Sequence, residues 1–273
     1  MIAPAIRPIG PQDEADVRSF LAQKPYENVY LDWLLSQRRS IRNRLFCFCA
    51  SERNVGGVAF YGRQTVLAVN CLEAIDAFAE LARDFADERM IVAQHETACH
   101  FWARVQSWHR PPRLVRERQP IFVLKERPLI SQSQVSVRRA RPSEADEVAR
   151  NSAAMIEKEL EYDPRRVAGD FFENVDHMIA GGLWWVGTAR GRLCFFCHVG
   201  PSSQHTVQLQ GVWTPPELRG QGFATEALAQ ICRQLLDDHA SVSLYVNDFN
   251  EAAIALYLKI GFSADGALAT YLF

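Results

Sequence analysis

A glycine-bearing turn is the part of this sequence whose residue types point most directly to chemistry. The segment Thr206–Thr225 begins with residues typical of a strand, breaks at a proline pair, and passes through RGQGFA at Arg219–Ala224 into an apolar helical pattern. The first N–H groups of a helix have no intrahelical acceptor, and the helix dipole places partial positive charge there. Gly220 and Gly222 leave room for a ligand to approach the backbone. We therefore predict an anion site on the amides from Gly220 to Thr225.

The spacing of the glycines excludes two common phosphate-binding motifs. A Walker A loop ends in Gly-Lys-Ser/Thr, and the dinucleotide fingerprint needs a third glycine that does not follow Gly222 at the required distance. RGQGFA instead resembles the Gln/Arg-x-x-Gly-x-Gly/Ala signature of the GNAT acyltransferase superfamily, which holds the pyrophosphate of acetyl-CoA. The resemblance implies cofactor contacts along the whole turn, at Arg219, Gly220, Gln221, Gly222, Phe223, Ala224 and Thr225.

A second GNAT-like signature follows a predicted strand at Ser241–Val246. It is Asn-x-x-Ala-x-x-x-Tyr-x-x-x-Gly-Phe, and the chain matches it at Asn250, Ala253, Tyr257, Gly261 and Phe262. Asn250 is a favourable N-cap residue, and Gly261 is a typical helix stop. The resemblance implies that Asn247 contacts the cofactor arm and that Asn250 caps the helix, contacts the cofactor, or does both.

The strand before the glycine turn is expected to lie beside the cofactor arm. In the family this strand separates from its neighbour, so its backbone groups pair with pantetheine; here they belong to Val212, Trp213 and Thr214. Backbone N–H groups at this point could also stabilise an oxyanion. Pro215 departs from the family pattern and leaves open whether Val212 or Thr214 faces the pantetheine. Trp213 is either a core residue or a wall of the acyl pocket.

Tyr257 is the candidate acid for a reaction in which an amine attacks the thioester directly. A phenol has a pKa near 10 and a thiol near 8.5, so full proton transfer to a free thiolate is uphill by about 2 kcal/mol. A hydrogen bond that tightens as the thiolate leaves is sufficient. The alternative is a tyrosine that packs under the C-terminal strands.

The candidate base is a carboxylate on the helix that borders the acceptor site in the family. Glu157, Glu159 and Glu161 lie on or just after this predicted helix, and Glu159 is our choice. A carboxylate with a pKa near 4.3 suits a primary amine poorly unless burial raises that pKa or water relays the proton. The alternative is a solvated helix face.

Composition limits the classes of partner. With 273 residues the chain can form two domains, and 48% hydrophobic residues can fill substantial cores. The formal charge of −2 gives no basic field for nucleic acid or an anionic membrane. No apolar run approaches the roughly 18 residues of a membrane helix. The start MIAPAIRPIG has no basic stretch followed by an apolar one, so a cytoplasmic location is expected.

Neither a metal nor a haem is expected. The seven cysteines are an odd number spread through apolar stretches, which favours reduced core thiols. Cys194–His198 (CFFCH) has the Cys-x-x-Cys-His spelling of a haem attachment site, but its surroundings predict a buried strand. His95 and His100 are five residues apart, whereas a zinc-binding helix needs histidines at i and i+4.

The order of predicted elements suggests an α/β (α+β) protein with a tandem GNAT fold. Each half would be a mixed, mostly antiparallel twisted sheet flanked by helices. Residues 1–126 form a degenerate GNAT-like half without the phosphate turn, residues 127–134 a linker, and residues 135–273 the complete half. Ser143 and Asp146 are predicted to cap the first helix of the second half.

These expectations together predict an acetyl-CoA-dependent N-acetyltransferase. Acetyl-CoA would be a co-substrate, and the acceptor an amine-bearing small molecule or peptide. The first half would complete the acceptor cleft or form the contact of a homodimer. The alternatives are a non-catalytic protein that binds or senses acyl-CoA, and an aminoacyl transferase, which would need a strongly basic groove. The sequence does not identify the acceptor.

Overall fold

In the part of the chain that the structure describes, twelve strands form one mixed sheet that runs through both halves. The structure is a computed structural model and describes residues 5–37, 43–51, 54–85, 87–129, 133–167 and 169–273. Most neighbouring strands are antiparallel, and helices cover the sheet. The predicted α/β (α+β) class with a mostly antiparallel sheet flanked by helices is confirmed.

The first half alternates strands and helices. In chain order its elements are β1 (Ala5–Pro8), α1 (Glu14–Leu21), α2 (Val29–Ser36), β2 (Leu45–Ser51), β3 (Asn54–Tyr61), β4 (Gln64–Val69), α3 (Leu72–Leu81), β5 (Met90–Gln94), α4 (His95–Val105) and β6 (Leu114–Leu124).

The second half repeats this order with an additional helical segment. Its elements are β7 (Ser136–Arg139), α5 (Ala145–Leu160), α6 (Pro164–Val167), α7 (Phe171–Ala180), β8 (Trp184–Ala189), β9 (Arg192–Ser202), β10 (Val207–Trp213), α8 (Phe223–Leu235), β11 (Val242–Tyr245), α9 (Glu251–Ile260) and β12 (Ser263–Leu272).

The two halves exchange their last strands at the centre of the sheet. The strand order is β1-β2-β3-β4-β5-β12-β6-β11-β10-β9-β8-β7. β12, the last strand of the second half, pairs with β5 and β6, both of the first half. β6, in turn, pairs with β11 of the second half. β6, which extends from Leu114 to Leu124, thus joins the two halves.

Alternating side chains form a separate hydrophobic core on each face of the sheet. On β2, Phe46 and Phe48 belong to one cluster, whereas Cys47 and Cys49 belong to another. Because successive side chains of a strand point to opposite faces, α1 and α2 cover one face and α3 and α4 the other. In the second half, α5 and α7 cover one face, and α8 and α9 the other.

Several boundaries differ from those predicted. β1 was not predicted from the sequence. The helical segment after α5 is divided into α6 and α7, and residue 168 between them lies outside the described residues. Residues 130–132 of the predicted linker also lie outside them. β12 begins at Ser263, where it pairs with β6 alone, and it pairs with β5 as well from Leu268 to Leu272.

The prediction that Ser143 and Asp146 cap α5 is wrong. Glu144, rather than Asp146, closes the turn: its Oε2 accepts a hydrogen bond from the Arg141 N–H at 2.8 Å. Arg138 also donates to both carboxylate oxygens at 2.7 Å. These hydrogen bonds hold the pKa of Glu144 below its usual value. The chain turns through Pro142–Glu144 before α5 begins, so the cap lies earlier than the pattern suggests.

The cysteines are free thiols, as predicted, but they are not all in the core. Cys47, Cys49, Cys194, Cys197 and Cys232 are buried, whereas Cys99 is exposed and Cys71 is half-buried. Among the described residues, no cluster of three or more His, Cys, Asp or Glu could hold a metal ion. Within the same residues, no helix combines the length and apolarity needed to cross a bilayer.

Replacing Glu144 with alanine is expected to lower the free energy of unfolding by about 1–2 kcal/mol, because three charge-assisted hydrogen bonds are lost at the start of α5. Urea denaturation measures this change. The control is Asp146→Ala, two residues later and exposed, for which we expect a change within about 0.5 kcal/mol. Equal effects of the two substitutions would show that Glu144 does not act as the cap.

Candidate functional site

The site begins where two parallel strands separate. β10 and β11 pair only at Val207 with Val242 and at Gln208 with Ser243, although β10 continues to Trp213. On its other edge β10 stays paired with β9 through an irregularity at residues 210–213, where Gly211 has a φ of +60°. The edge of residues 209–213 that faces β11 therefore has no strand partner.

The corresponding strands of the first half do not separate. β4 and β5 are paired at four successive positions, from Gln64 with Met90 to Leu67 with Ala93. Only Asn70 and Cys71 connect β4 to α3, so this connection contains no glycine turn. Among the described elements, the opening in the sheet belongs to the second half.

Two adjoining cavities lie at the opening. The larger, of about 660 Å³, extends from the strand separation to the glycine turn. The smaller, of about 350 Å³, lies between the second half and the strand ends of the first. Both are lined by Arg116, Glu159, Val212, Asn247 and Tyr257. Ligands bound in the two cavities would therefore share these wall residues.

The glycine turn leaves its backbone open to the larger cavity. Gly220 has a φ of +74° and Gly222 a φ of +85°, a conformation that favours glycine. A Cβ added at Gly220 would meet no atom within 4 Å, so it would project into free space. α8 begins at Phe223, and its first N–H groups have no acceptor within the helix. The turn can therefore bind an anion through its backbone, as predicted.

Arg219 holds the turn in place. Its Nε donates to the Thr214 carbonyl at 3.0 Å, and its guanidinium lies 4.4 Å from the centre of the Trp213 ring. Gln221 does not line either cavity, and its side chain donates to the carbonyl of Glu217. Of the predicted contacts in this turn, Gln221 can therefore contribute only through its backbone.

The larger cavity is rich in positive charge. Its lining contains the cations Arg116, Lys158, Arg219 and Lys259, and a single carboxylate, Glu159. Together with the free amides of the turn, this balance favours a ligand with several negative charges.

Tyr257 lies between the two cavities. Its ring is 5.9 Å from that of Phe122 and 5.8 Å from that of Phe262, and the residue is 5% exposed. Within the described residues its hydroxyl makes no hydrogen bond. Burial raises the pKa of Tyr257, and the charge of Glu159 raises it further. The phenol is therefore protonated near neutral pH and can donate a proton or a hydrogen bond.

Of the three glutamates considered as a base, Glu159 alone lines the cavities. Glu157 forms an ion pair with Arg165 at 3.6 Å, and Glu161 ends α5 in the left-handed conformation. Glu159 retains exposed surface, but desolvation in the cavity wall raises the pKa of its carboxyl. The positive charges of Arg116, Lys158 and Arg219 oppose this increase.

The two asparagines have different local roles. The Asn250 side chain accepts a hydrogen bond from the Ala253 N–H at 3.3 Å, which confirms it as an N-cap. Asn247 accepts one from Gln119 Nε2 at 3.0 Å. Gln119 in turn accepts one from Thr270 at 2.6 Å. Asn247 is thus fixed by β6 and β12, and both asparagines line the cavities.

Sequence reasoning missed three residues that support the site, all on β6. The Nη2 of Arg116 donates to the Glu159 carbonyl at 2.8 Å, Gln119 holds Asn247, and Phe122 packs on Tyr257. These three residues belong to no motif. Each precedes the site residue that it contacts by more than 40 positions; the smallest separation is the 43 residues between Arg116 and Glu159. The sequence carries no signal that pairs β6 with β11.

Trp213 belongs to the core and to the cavity wall at once. It is 8% exposed and packs in the cluster that includes Met155, Trp184 and Phe196, but it also lines the larger cavity. The hydroxyl of the neighbouring Thr214 is buried without a partner in the described residues. Both interpretations of Trp213 are therefore compatible with its position.

The Cys-x-x-Cys-His motif lies in β9, the buried strand predicted for it. Cys194 and Cys197 are buried, and Cys194 contacts a backbone carbonyl. His198 lies 3.2 Å from the Gln210 side chain, and burial lowers the pKa of His198 to about 4. The imidazole is therefore neutral near pH 7 and lies behind the strand that borders the opening.

Two protein-family models match the chain. Residues 145–262 match the acetyltransferase (GNAT) family, and residues 44–148 match DUF4081, a domain of unknown function. A search of curated protein sequences finds no significant match. The GNAT match contains the glycine turn, Glu159 and Tyr257. The predicted resemblance of the second half to the GNAT superfamily is confirmed.

Solved structures share the fold over nearly the whole chain. A Drosophila protein has a TM-score of 0.65 and 13% identity, with 98% of each chain covered. A GNAT-family acetyltransferase from Colwellia psychrerythraea has a TM-score of 0.60 and 11% identity, with 98% of this chain and 99% of that chain covered. A tandem GNAT protein from the clavulanic acid biosynthesis pathway has a TM-score of 0.59 and 13% identity, with 98% of each covered. At these identities the likeness shows the fold alone, and the predicted tandem GNAT fold is confirmed.

Replacing Gly220 with alanine is expected to weaken binding of coenzyme A by about tenfold or more, because the added Cβ enters the cavity at the free amides. Isothermal titration calorimetry measures the affinity. Gly191→Ala is the matched control, since Gly191 has a φ of +76° and equally open space but lies in the β8–β9 turn. Both substitutions cost about 1–2 kcal/mol of backbone strain. Wild-type affinity in the Gly220 variant would exclude the turn as the anion site.

Proposed function

We propose that this protein transfers the acetyl group of acetyl-CoA to a primary amine, since residues 145–262 match the acetyltransferase (GNAT) family. The observation that carries the proposal is the separation of β10 from β11, which opens onto the glycine turn at one end and Tyr257 at the other. The diphosphate would bind the amides of residues 220–225. The cations around the larger cavity support the same ligand.

The residues present fit a coenzyme with a long polar arm. Val212 and Trp213 on the unpaired edge of β10, and Thr214 directly after it, would offer backbone groups to the pantetheine, and Asn247 its side-chain amide. Bound acetyl-CoA supplies a thioester whose carbonyl carbon accepts a nucleophile. N–H groups on the free edge of β10 would stabilise negative charge on the carbonyl oxygen.

Glu159 is the proposed general base and Tyr257 the proposed general acid. The attacking nitrogen forms a bond to the carbonyl carbon, and its proton passes to Glu159 directly or through water. The C–S bond then breaks, and the Tyr257 hydroxyl donates to the departing sulfur. Burial raises the pKa of Tyr257, and partial desolvation raises the pKa of the exposed Glu159 carboxyl, so the pKa shifts of both residues favour these roles.

Replacing Tyr257 with phenylalanine is expected to reduce kcat by roughly 100-fold, because the sulfur loses its donor. The affinity for acetyl-CoA should stay within a few-fold, since the ring remains. Thiol release in the presence of an amine measures kcat. Tyr271→Phe is the control: it removes the hydroxyl of a similarly buried tyrosine outside both cavities. An unchanged rate in the Tyr257 variant would remove this residue from the mechanism.

The pH dependence of kcat tests the base. Since the pKa of Glu159 is raised, its base form should be lost as pH falls through a value above the ordinary 4.5. Glu159→Gln should remove this acidic limb and leave the limb that belongs to the acceptor amine. Glu157→Gln, on the same helix but outside the cavities, should keep the wild-type profile. A Glu159 variant with an unaltered profile would contradict the assignment.

A further inference from the structure

The smaller cavity is built by both halves of the chain. The first half contributes Gln64 and Met90, which face each other across the first paired position of β4 and β5, and also Arg116 and Gln119 of β6. All four lie within residues 44–148, the domain of unknown function. The second half contributes the wall that contains Glu159 and Tyr257.

We propose that this cavity binds the acceptor, that the first half supplies its far wall, and that the acceptor is a small amine with an uncharged, hydrogen-bonding body. The proposal rests on the acetyl transfer proposed above. It assigns a role to the domain of unknown function, which would select the acceptor while the second half holds the coenzyme.

The polar lining consists mainly of side-chain amides. Gln64, Gln119, Gln210 and Asn247 line the cavity, and each carries both a donor and an acceptor. The charged groups in the lining are one carboxylate, Glu159, and one guanidinium, Arg116, so their formal charges cancel. Such a lining suits hydroxyl or amide groups on the ligand. An acidic ligand would find no cation in it besides Arg116.

The amides are held in position by neighbours. Gln119 accepts a hydrogen bond from the Thr270 hydroxyl and donates one to Asn247. The Nε2 of Gln210 donates to Gln208 at 3.0 Å, so its Oε1 faces the ring of His198. Because these partners are fixed, the amides meet a ligand in defined orientations, which reduces the entropy lost on binding.

The apolar part of the lining and the volume limit the size of the acceptor. Met90, Met155, Leu209 and Leu272 provide an apolar surface beside the amides. The volume of about 350 Å³ lies at the low end of the roughly 300–1,000 Å³ typical of small-molecule sites. The cavity therefore suits a single small molecule rather than a peptide segment. Since Glu159 and Tyr257 border both cavities, the amine of that molecule would lie beside the thioester.

The first experiment compares acceptors. Thiol release from acetyl-CoA is measured with alaninamide, glucosamine, aspartate and a lysine-containing peptide. We expect kcat/KM for alaninamide or glucosamine to exceed that for aspartate by about tenfold or more, because the charge of Glu159 offsets that of Arg116, the one cation in the lining. Preference for aspartate or for the peptide would overturn the inference.

The second experiment tests the wall from the first half. Gln64→Ala and Met90→Ala should each raise KM for the preferred amine by roughly five- to tenfold, because each loses one ligand contact, while KM for acetyl-CoA is unchanged. Gln106→Ala is the control, since this exposed glutamine directly follows α4 and lies outside the cavity. Gln64→Lys should shift the preference toward aspartate. If all these variants keep wild-type acceptor kinetics, the inference fails although acetyl transfer stands.

Failure of the proposed function gives a different result. A wild-type protein that binds coenzyme A but releases no thiol with any amine of the panel would overturn acetyl transfer, and with it the acceptor assignment.

Discussion

The separation of β10 from β11 is the constraint on which the candidate site depends. A strand edge inside a sheet normally satisfies its N–H and C=O groups with a neighbouring strand, and leaving them unpaired is costly. Here the two strands remain anchored on their outer edges, β10 by β9 and β11 by β6. The outer pairings keep the opening in a fixed position, so a ligand with an extended polar arm can replace the missing strand partner. In the first half, β4 and β5 stay paired over four successive positions, so the part of β4 beyond the pairing is limited to Ala68 and Val69.

The exchange of β6 and β12 explains why the two halves act as one unit at the site. β6 lies beside β11, so the residues that support Glu159, Asn247 and Tyr257 come from the first half of the chain. β12 returns to pair with β5. Because backbone hydrogen bonds join the halves along both strands, a displacement of the first half would move the walls of the site.

The sequence predicted the local parts of the site and not the distant ones. The glycine turn, the N-cap Asn250 and the helix stop Gly261 depend on residues a few positions apart, so their spacing is visible in the sequence. Gln119 and Asn247 are 128 residues apart, and strand pairing that joins them leaves no periodic pattern. The cap at Glu144 was misassigned because the ion pair with Arg138 decides it, and propensity alone favours Ser143. The smaller cavity could not be predicted, since its walls come from both halves.

The protonation states of Glu159 and Tyr257 are linked, and in the proposed reaction this linkage favours proton uptake by Glu159 before donation by Tyr257. The ionised carboxylate of Glu159 raises the pKa of Tyr257, so the phenol holds its proton while Glu159 is ready to act as a base. Once Glu159 accepts a proton from the amine, its negative charge disappears, and so does its contribution to the tyrosine pKa. Tyr257 then becomes a stronger acid at the stage when the sulfur needs a donor. The charge of Glu159 thus links the proposed base to the proposed acid, because its ionised carboxylate is one of the groups that raise the pKa of Tyr257.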